Sequence, residues 1–314
     1  MNCVALGIDT SNYTTSTALF DAAAGAAVQQ KRLLPVKPGE LGLRQSDALF
    51  HHTVQLPELL EALLRGVPSI GAVGVSNRPR PAQGSYMPCF LAGVAVAGGV
   101  AAALGVPLRR FSHQEGHLAA ALFSANRQAW GQAPFLAFHL SGGTTECLLV
   151  QPEPGDANAF AVEIIGGSSD LKAGQLVDRI GVACGLAFPA GAALDALALE
   201  GTLPRQPKPS LCGMQCSFSG LENQCRTLLA QGCPQPDAAR FCLESIAAAL
   251  EAIALQAQAQ YGALPLLFAG GVACSRVIRS RLGQRFPKAA FAAPDFSADN
   301  AAGVAILAAC GAFK

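Results

Sequence analysis

Apolar and polar positions fall along this chain in blocks that predict alternating strands and helices, and one block recurs. The apolar run Cys3 to Ile8 leads into Ser11-Asn12-Tyr13-Thr14 and a second run that ends at Phe20. Phe135 to Leu140 leads in the same way into Ser141-Gly142-Gly143-Thr144 and a run ending at Val150, at an offset of 130 residues. Each reads as strand, tight polar turn, strand: a β-hairpin with a tip rich in Ser, Thr and Gly. Such a tip exposes backbone N–H groups and hydroxyls that suit a phosphate, although Ser and Thr are common in strands and Gly in turns of ordinary hairpins as well.

The remaining pattern supplies further elements. Ile70 to Ser76 predicts a buried strand, broken by Arg78-Pro79-Arg80-Pro81 ahead of an Ala/Gly-rich helix from Cys89 to Leu104. Ala239 to Tyr261 carries a long helical pattern. Leu264 to Ala269 predicts a strand that ends in Gly270-Gly271, followed by a helix over Ser275 to Leu282. Strand, diglycine, helix is an order that lets backbone and a helix N-terminus approach a phosphate or sugar, and it is also a generic α/β turn. Pro294 to Asn300 leads into a small-residue helix, Ala301 to Ala312, with Asp299 at its entry as a cap or a ligand. Two hairpins, each opening one half of the chain, predict a duplicated two-lobed α/β fold with a nucleotide cleft. The lobes are placed at 1–130 and 131–314, with the final helix returning Asp299 to the cleft.

Composition narrows the classes. With 314 residues, 51% hydrophobic and 14% charged, the chain can bury a large core, and disorder is excluded. A net charge of +1 announces no nucleic-acid partner by itself, but leaves room for a local basic patch. Eleven scattered cysteines and no leading signal segment predict reduced thiols in a cytoplasmic protein. Cys212 and Cys216 lack the Cys-x-x-Cys companions of a zinc site. The apolar stretch Cys89 to Leu108 is too rich in Ala and Gly to read as a membrane span, so no membrane partner is expected.

His113-Gln114-Glu115-Gly116-His117 holds two of the chain's five histidines at helical i, i+4 spacing. On one helix face both imidazoles can reach one cation, or simply share a polar surface. A zinc-peptidase helix needs its Glu beside a histidine, as in His-Glu-x-x-His; here Glu115 stands about 200° around the helix from His113. A peptidase is therefore the weakest use of this pair.

Taken in order, the blocks resemble one family across nearly the whole chain. They are Gly7-Ile8-Asp9-Thr10-Ser11, His113 to His117, Leu140-Ser141-Gly142-Gly143, Ala173-Gly174-Gln175-Leu176-Val177-Asp178, Phe188-Pro189-Ala190-Gly191, Cys216 to Leu221, Ala269-Gly270-Gly271-Val272 and Ala298-Asp299-Asn300. The family is the TsaD threonylcarbamoyl transferases, once classed as glycoproteases, with an actin/hexokinase/Hsp70-like fold. The resemblance implies transfer of threonylcarbamoyl from its adenylate to N6 of adenosine 37 in tRNA, or a related transfer to a changed acceptor. It implies His113, His117 and Asp299 as ligands of one Fe or Zn ion. It puts ATP or an acyl-adenylate against His139, Leu140, Ser141, Gly142, Gly143, Thr144, Asp178, Gly191, Gly270, Gly271 and Ser275. It also implies TsaB- or TsaE-like protein partners, or a homodimer.

Three departures fall on the ligand-facing loops. Tyr13 and Thr14 stand where the family carries an acidic pair, Thr144 replaces a His, and Ser275 replaces an Asn. The alternative is a non-catalytic nucleotide-binding partner that scaffolds or regulates such a complex; retention of the His pair argues against it and loss of the acidic pair argues for it.

Overall fold

A computed structural model describes residues 4–11, 13–36, 43–67, 69–297 and 301–309. The chain forms two compact units: 1–133 with 151–161 and 298–314, and 134–150 with 162–297. Residues 1–133 form the longest run of the first unit, and 151–161 and 298–314 group with it.

The first unit is built on β1 (Val4–Asp9), β2 (Thr14–Asp21), β3 (Ala26–Leu33), α1 (Gln45–Leu64), β4 (Ala72–Arg78), α2 (Phe90–Leu104), β5 (Leu108–Ser112) and α3 (His113–Ser124). Its sheet runs β3-β2-β1-β4-β5, the first three antiparallel and β1, β4 and β5 parallel. Leu6, Ile8, Val73 and Val75 alternate inward and meet Leu56, Leu60 and Leu63 of α1 and Ala92, Ala97 and Ala101 of α2. That period-2 against period-3.6 match makes one apolar core from two kinds of element. A polar pin crosses it: the Thr15 hydroxyl lies 2.8 Å from Nδ1 of the fully buried His52 and 2.7 Å from Oε1 of Gln55. His52 is therefore a structural histidine, tying α1 to β2.

The second unit follows with β6 (Phe135–Leu140), β7 (Thr145–Glu153), β8 (Asp156–Ser168), α4 (Ala173–Ala183), α5 (Gly191–Glu200), β9 (Leu211–Cys212), β10 (Gln215–Cys216), α6 (Ser219–Ala230), α7 (Gln235–Tyr261), β11 (Leu266–Ala269), α8 (Arg276–Arg285) and β12 (Ala290–Phe291). Its sheet runs β12-β11-β6-β7-β8-β10-β9. The stretch β8-β7-β6-β11-β12 repeats the strand order of the first sheet, with an antiparallel hairpin feeding parallel strands. The predicted duplication is real at the level of topology. Long α7 is buried along its middle, where Phe241, Ile246, Leu250 and Ile253 meet Phe138, Leu176 and Phe268 in the core of this unit.

The last helix, α9 (Ala302–Ala308), is shorter at its C-terminal end than the small-residue pattern predicts, and residues 310–314 lie outside the described residues. Every α9 residue is buried, on α3, β1 and β4. The small residues explain the fit. A Cβ on Gly7 would run into the backbone of Ala301, one on Gly74 into Val304, and one on Gly303 into Gly116. Among the described residues no helix is long and apolar enough to cross a membrane.

Candidate functional site

His113 and His117 open α3, which β5 feeds directly. The helix starts there because Ser112 and Glu115 form a capping box. The Ser112 hydroxyl accepts from Glu115 N–H at 3.2 Å, and the Glu115 carboxylate accepts from Ser112 N–H at 2.7 Å. The same carboxylate takes the Ser112 hydroxyl at 2.7 Å and Phe160 N–H at 3.3 Å. Glu115 is buried and bound to these donors, which is where a peptidase base cannot be.

The two imidazoles meet edge to face, ring centroids 4.3 Å apart, with Nε2 of His117 2.8 Å from Nε2 of His113. The other nitrogen of His113, Nδ1, lies 3.1 Å from Oδ2 and 3.3 Å from Oδ1 of Asp9. Asp9 is fully buried at the end of β1 and accepts the Ser11 hydroxyl at 2.7 Å. Burial alone would push its carboxyl up; the charge and hydrogen bond of His113, with the hydroxyls of Ser76 and Ser11, outweigh that and hold it below the ordinary carboxylate range. An ionised Asp9 only accepts, so His113 holds a proton on Nδ1 toward it, and only when the ring is neutral does its Nε2 present a lone pair to His117. Sequence reading missed Asp9 as a site residue, although it sits in the Gly7-Ile8-Asp9-Thr10-Ser11 block; only the fold brings it to a histidine 104 positions later.

This donor set suits a metal ion. A carboxylate that fixes the far nitrogen of a histidine is a common outer support of a metal ligand, and two neutral nitrogens on one face leave other positions open. Nitrogens on one tetrahedral zinc stand roughly 3.3 Å apart, so the 2.8 Å pair is hydrogen-bonded and must part slightly to take an ion. Among the described residues no third His, Cys, Asp or Glu completes the set. Asp299 lies outside the described residues; Ala301 and Gly303, which follow it in the chain, pack on Gly7 and Gly116.

In the second unit His139 and Leu140 end β6 and Gly270-Gly271 follow β11, and these two strands run parallel with His139 paired to Ala269. Ser141 N–H bonds to Thr144 carbonyl at 2.8 Å and closes the tip turn. At Gly142 and Gly143 an added Cβ would meet nothing, so that tip faces open space. Leu140, by contrast, is fully buried and holds the turn from below. Thr145 accepts from the first turn of α4 at 2.8 Å, and Gly174 lies so close to Gly142 that a Cβ there would clash. Gly270 has φ +96° and abuts the Leu140 carbonyl, a conformation and a contact that both require glycine; Gly271 is open. Asp178 on α4 accepts from Ala190 N–H at 2.8 Å, just before Gly191 begins α5. Its other oxygen has no hydrogen bond among the described residues.

Ser275 opens the helix that follows the diglycine turn. Its hydroxyl donates to Asp195 at 2.6 Å and accepts from Ile278 N–H at 3.3 Å, which makes it the N-cap of α8. Tyr13 is half-buried and its carbonyl accepts from Leu34 N–H at 2.8 Å; Thr14 is buried at the start of β2. Cys216 is buried, and burial pushes its thiol up to about 11, so it is neither a nucleophile nor a ready ligand at neutral pH. Cys212 is exposed across the β9–β10 hairpin.

The model of the TsaD family, tRNA N6-adenosine threonylcarbamoyltransferase, matches residues 39–306. Among solved structures, HypF of T. kodakarensis is 14% identical with a TM-score of 0.60, covering 98% of this chain and 47% of that one. The chain thus spans about half the length of HypF. A ROK family glucokinase from Streptomyces griseus, in complex with glucose and AMPPNP, is 14% identical with a TM-score of 0.53, covering 97% and 99% of the two chains. The activator of the 2-hydroxyisocaproyl-CoA dehydratase from Clostridium difficile, with bound ADPNP, is 12% identical with a TM-score of 0.51, covering 99% and 94%. These likenesses establish the actin/hexokinase/Hsp70-like fold.

Proposed function

This chain belongs to the TsaD family of tRNA N6-adenosine threonylcarbamoyltransferases, and from that premise we propose that it transfers a threonylcarbamoyl group from its adenylate to N6 of adenosine 37 in tRNA. The N6 amine attacks the carbamoyl carbon, the bond from that carbon to the phosphate oxygen breaks, AMP leaves, and the amine proton passes to water. The observation that carries the reading is the Asp9-supported pair of His113 and His117 at the start of α3.

In this reading His113, His117 and Asp299 hold one Fe or Zn ion. Such an ion, when bound by these residues, would supply positive charge that polarises the transferred group. Asp9 keeps the Nδ1 proton on His113 and so keeps Nε2 available. In the second unit the open tip at Gly142 and Gly143 offers backbone N–H groups to phosphate, and the second oxygen of Asp178 accepts from a ribose hydroxyl. Two structures of the same fold hold AMPPNP or ADPNP, and the proposal gives this chain a nucleotide as well. The cytoplasmic setting, tRNA, and protein partners of the TsaB or TsaE kind belong to the same proposal.

A second reading rests on Tyr13 and Thr14. With the family's acidic pair replaced by a phenol and a buried hydroxyl, the chain would bind nucleotide and serve as a regulatory subunit without transferring the group. Metal content and complementation separate the two. One Fe or Zn per chain, lost in His113→Ala, together with restored threonylcarbamoyl-adenosine in a strain depleted of its own transferase, supports the transferase. Nucleotide binding with neither metal nor restored modification supports the regulatory subunit.

A further inference from the structure

We propose that the cavity between α6 and α7 in the second unit is a binding pocket for a short-chain carboxylate, separate from the metal and adenylate sites. The cavity measures about 70 Å³ and is lined by residues outside the metal and adenylate assignments, chiefly Lys208, Ser217, Leu221, Gln224, Phe241 and Ser245. Phe241, Ser245 and Ala249 follow each other at i, i+4 and i+8 and so present one face of α7 to it. Leu221 and Gln224 present the first turns of α6 from the other side.

Ser245 is the observation that points to a ligand. It is 6% exposed, and its hydroxyl has no hydrogen-bond partner among the described residues. A serine inside a helix ordinarily satisfies itself by bonding back to the carbonyl four residues earlier. Here that bond is absent, and a buried hydroxyl left in this state is costly unless something in the cavity meets it.

Several other groups around the cavity can donate, whereas the Ser217 hydroxyl spends its proton on Asp170. Arg205 stacks 4.8 Å over the Phe241 ring and donates to Oε1 of Gln224 at 3.0 Å, which fixes the amide and leaves its Nε2 hydrogens for another acceptor. Lys208 makes no ion pair among the described residues. The N–H groups of Gly220 and Leu221, in the first turn of α6, have no intrahelical acceptor. Among the described residues no Asp or Glu lines the cavity. Asp170, which holds Ser217, accepts that hydroxyl at 2.6 Å and the N–H groups of Leu171, Phe218 and Ser219, so its charge is already matched.

Donors and cations at the rim call for an acceptor-only head group. Phe218, Leu221, Phe241 and Ala249 beneath them call for a hydrocarbon tail. A water needs roughly 10–15 Å³ in this measure, so the space holds about five heavy atoms. That is the size of propionate. A phosphate would match the rim and leave the apolar floor unfilled.

The test is calorimetric and NMR titration of the full chain with propionate, propionamide and inorganic phosphate as probes. Saturable propionate binding is expected, with propionamide and phosphate each about tenfold weaker or more. Ser245→Leu, which fills the cavity and removes the orphaned hydroxyl, should abolish binding while unfolding at or above the wild-type temperature. Lys208→Gln, at an exposed position that cannot threaten folding, should weaken propionate about two- to fivefold, the range of an exposed charge pair. No saturable propionate binding to wild type overturns the proposal, as does equal binding of propionamide, equal binding by folded Ser245→Leu, or phosphate binding more tightly than propionate. Should Ser245→Leu prove unfolded, an unchanged propionate affinity in Lys208→Gln overturns it on its own.

Discussion

Nδ1 of His113 lies 3.1 Å from Oδ2 of Asp9, a contact made between the end of β1 and the first residue of α3. It decides which nitrogen of His113 faces His117. Removing the carboxylate charge without changing its shape frees the ring to change tautomer. Asp9→Asn is therefore expected to lower metal affinity about 10- to 100-fold, read by competition against a chromophoric chelator. An unchanged affinity would show that Asp9 plays no part in holding the ligand.

Glu115 serves α3 as a cap, with its carboxylate taking Ser112 N–H, the Ser112 hydroxyl and Phe160 N–H. Glu115→Ala strands a buried Ser112 N–H and is expected to cost about 2 kcal/mol in urea unfolding. It should leave no peptidase activity to lose. Metal-dependent peptide cleavage that disappears in this variant would restore the peptidase reading.

Gly303 on α9 faces the Gly116 carbonyl, between the two histidines of α3. A methyl group there meets backbone, which cannot swing aside. Gly303→Ala should destabilise the protein by about 1–3 kcal/mol and weaken metal retention at the same time. Gly283, where a Cβ meets nothing, is the control: Gly283→Ala on α8 should be neutral or slightly stabilising.

Asp170 ties the start of α6 to the turn before α4. Partial burial would raise its carboxyl, but hydrogen bonds from Ser217, Phe218 and Ser219 win and hold it far below the usual range. A carboxyl depressed on folding stabilises above its unfolded value, about 3.9, and that contribution fades as pH falls through the folded value. The stability difference between wild type and Asp170→Asn should accordingly stay level from pH 7 to about pH 5 and shrink below about pH 4. Unfolding midpoints across that range check it; a difference that grows on acidification would contradict the assignment.

Ser275 shows what residue type alone leaves open. By resemblance it stands at a nucleotide contact in place of Asn, whereas its hydroxyl is engaged with Asp195 and with Ile278 N–H as a helix cap. A Ser before a helix suits either use, and Asp195 lies 80 positions away, so no local pattern chooses between them. The cysteines tell the same story from the other side. Their spacing holds no Cys-x-x-Cys pair, and it is burial that makes Cys216 inert and leaves Cys212 exposed.

The sequence by itself determined the elements and their duplication. Polar tips at Ser11–Thr14 and Ser141–Thr144 between apolar runs specify hairpins, diglycine after Leu264–Ala269 ends a strand, and His113 and His117 share a face because helical periodicity is local. Tertiary structure alone decided what those residues meet. Asp9 reaches His113, Glu115 turns inward to Ser112 and Phe160, and Ser245 faces a cavity because sheet order and helix packing join positions far apart in the chain. The physical reason is one of range: dihedral preference and apolar period act over a few residues, whereas tautomer, ionisation and unsatisfied hydroxyls depend on neighbours that only the folded core supplies.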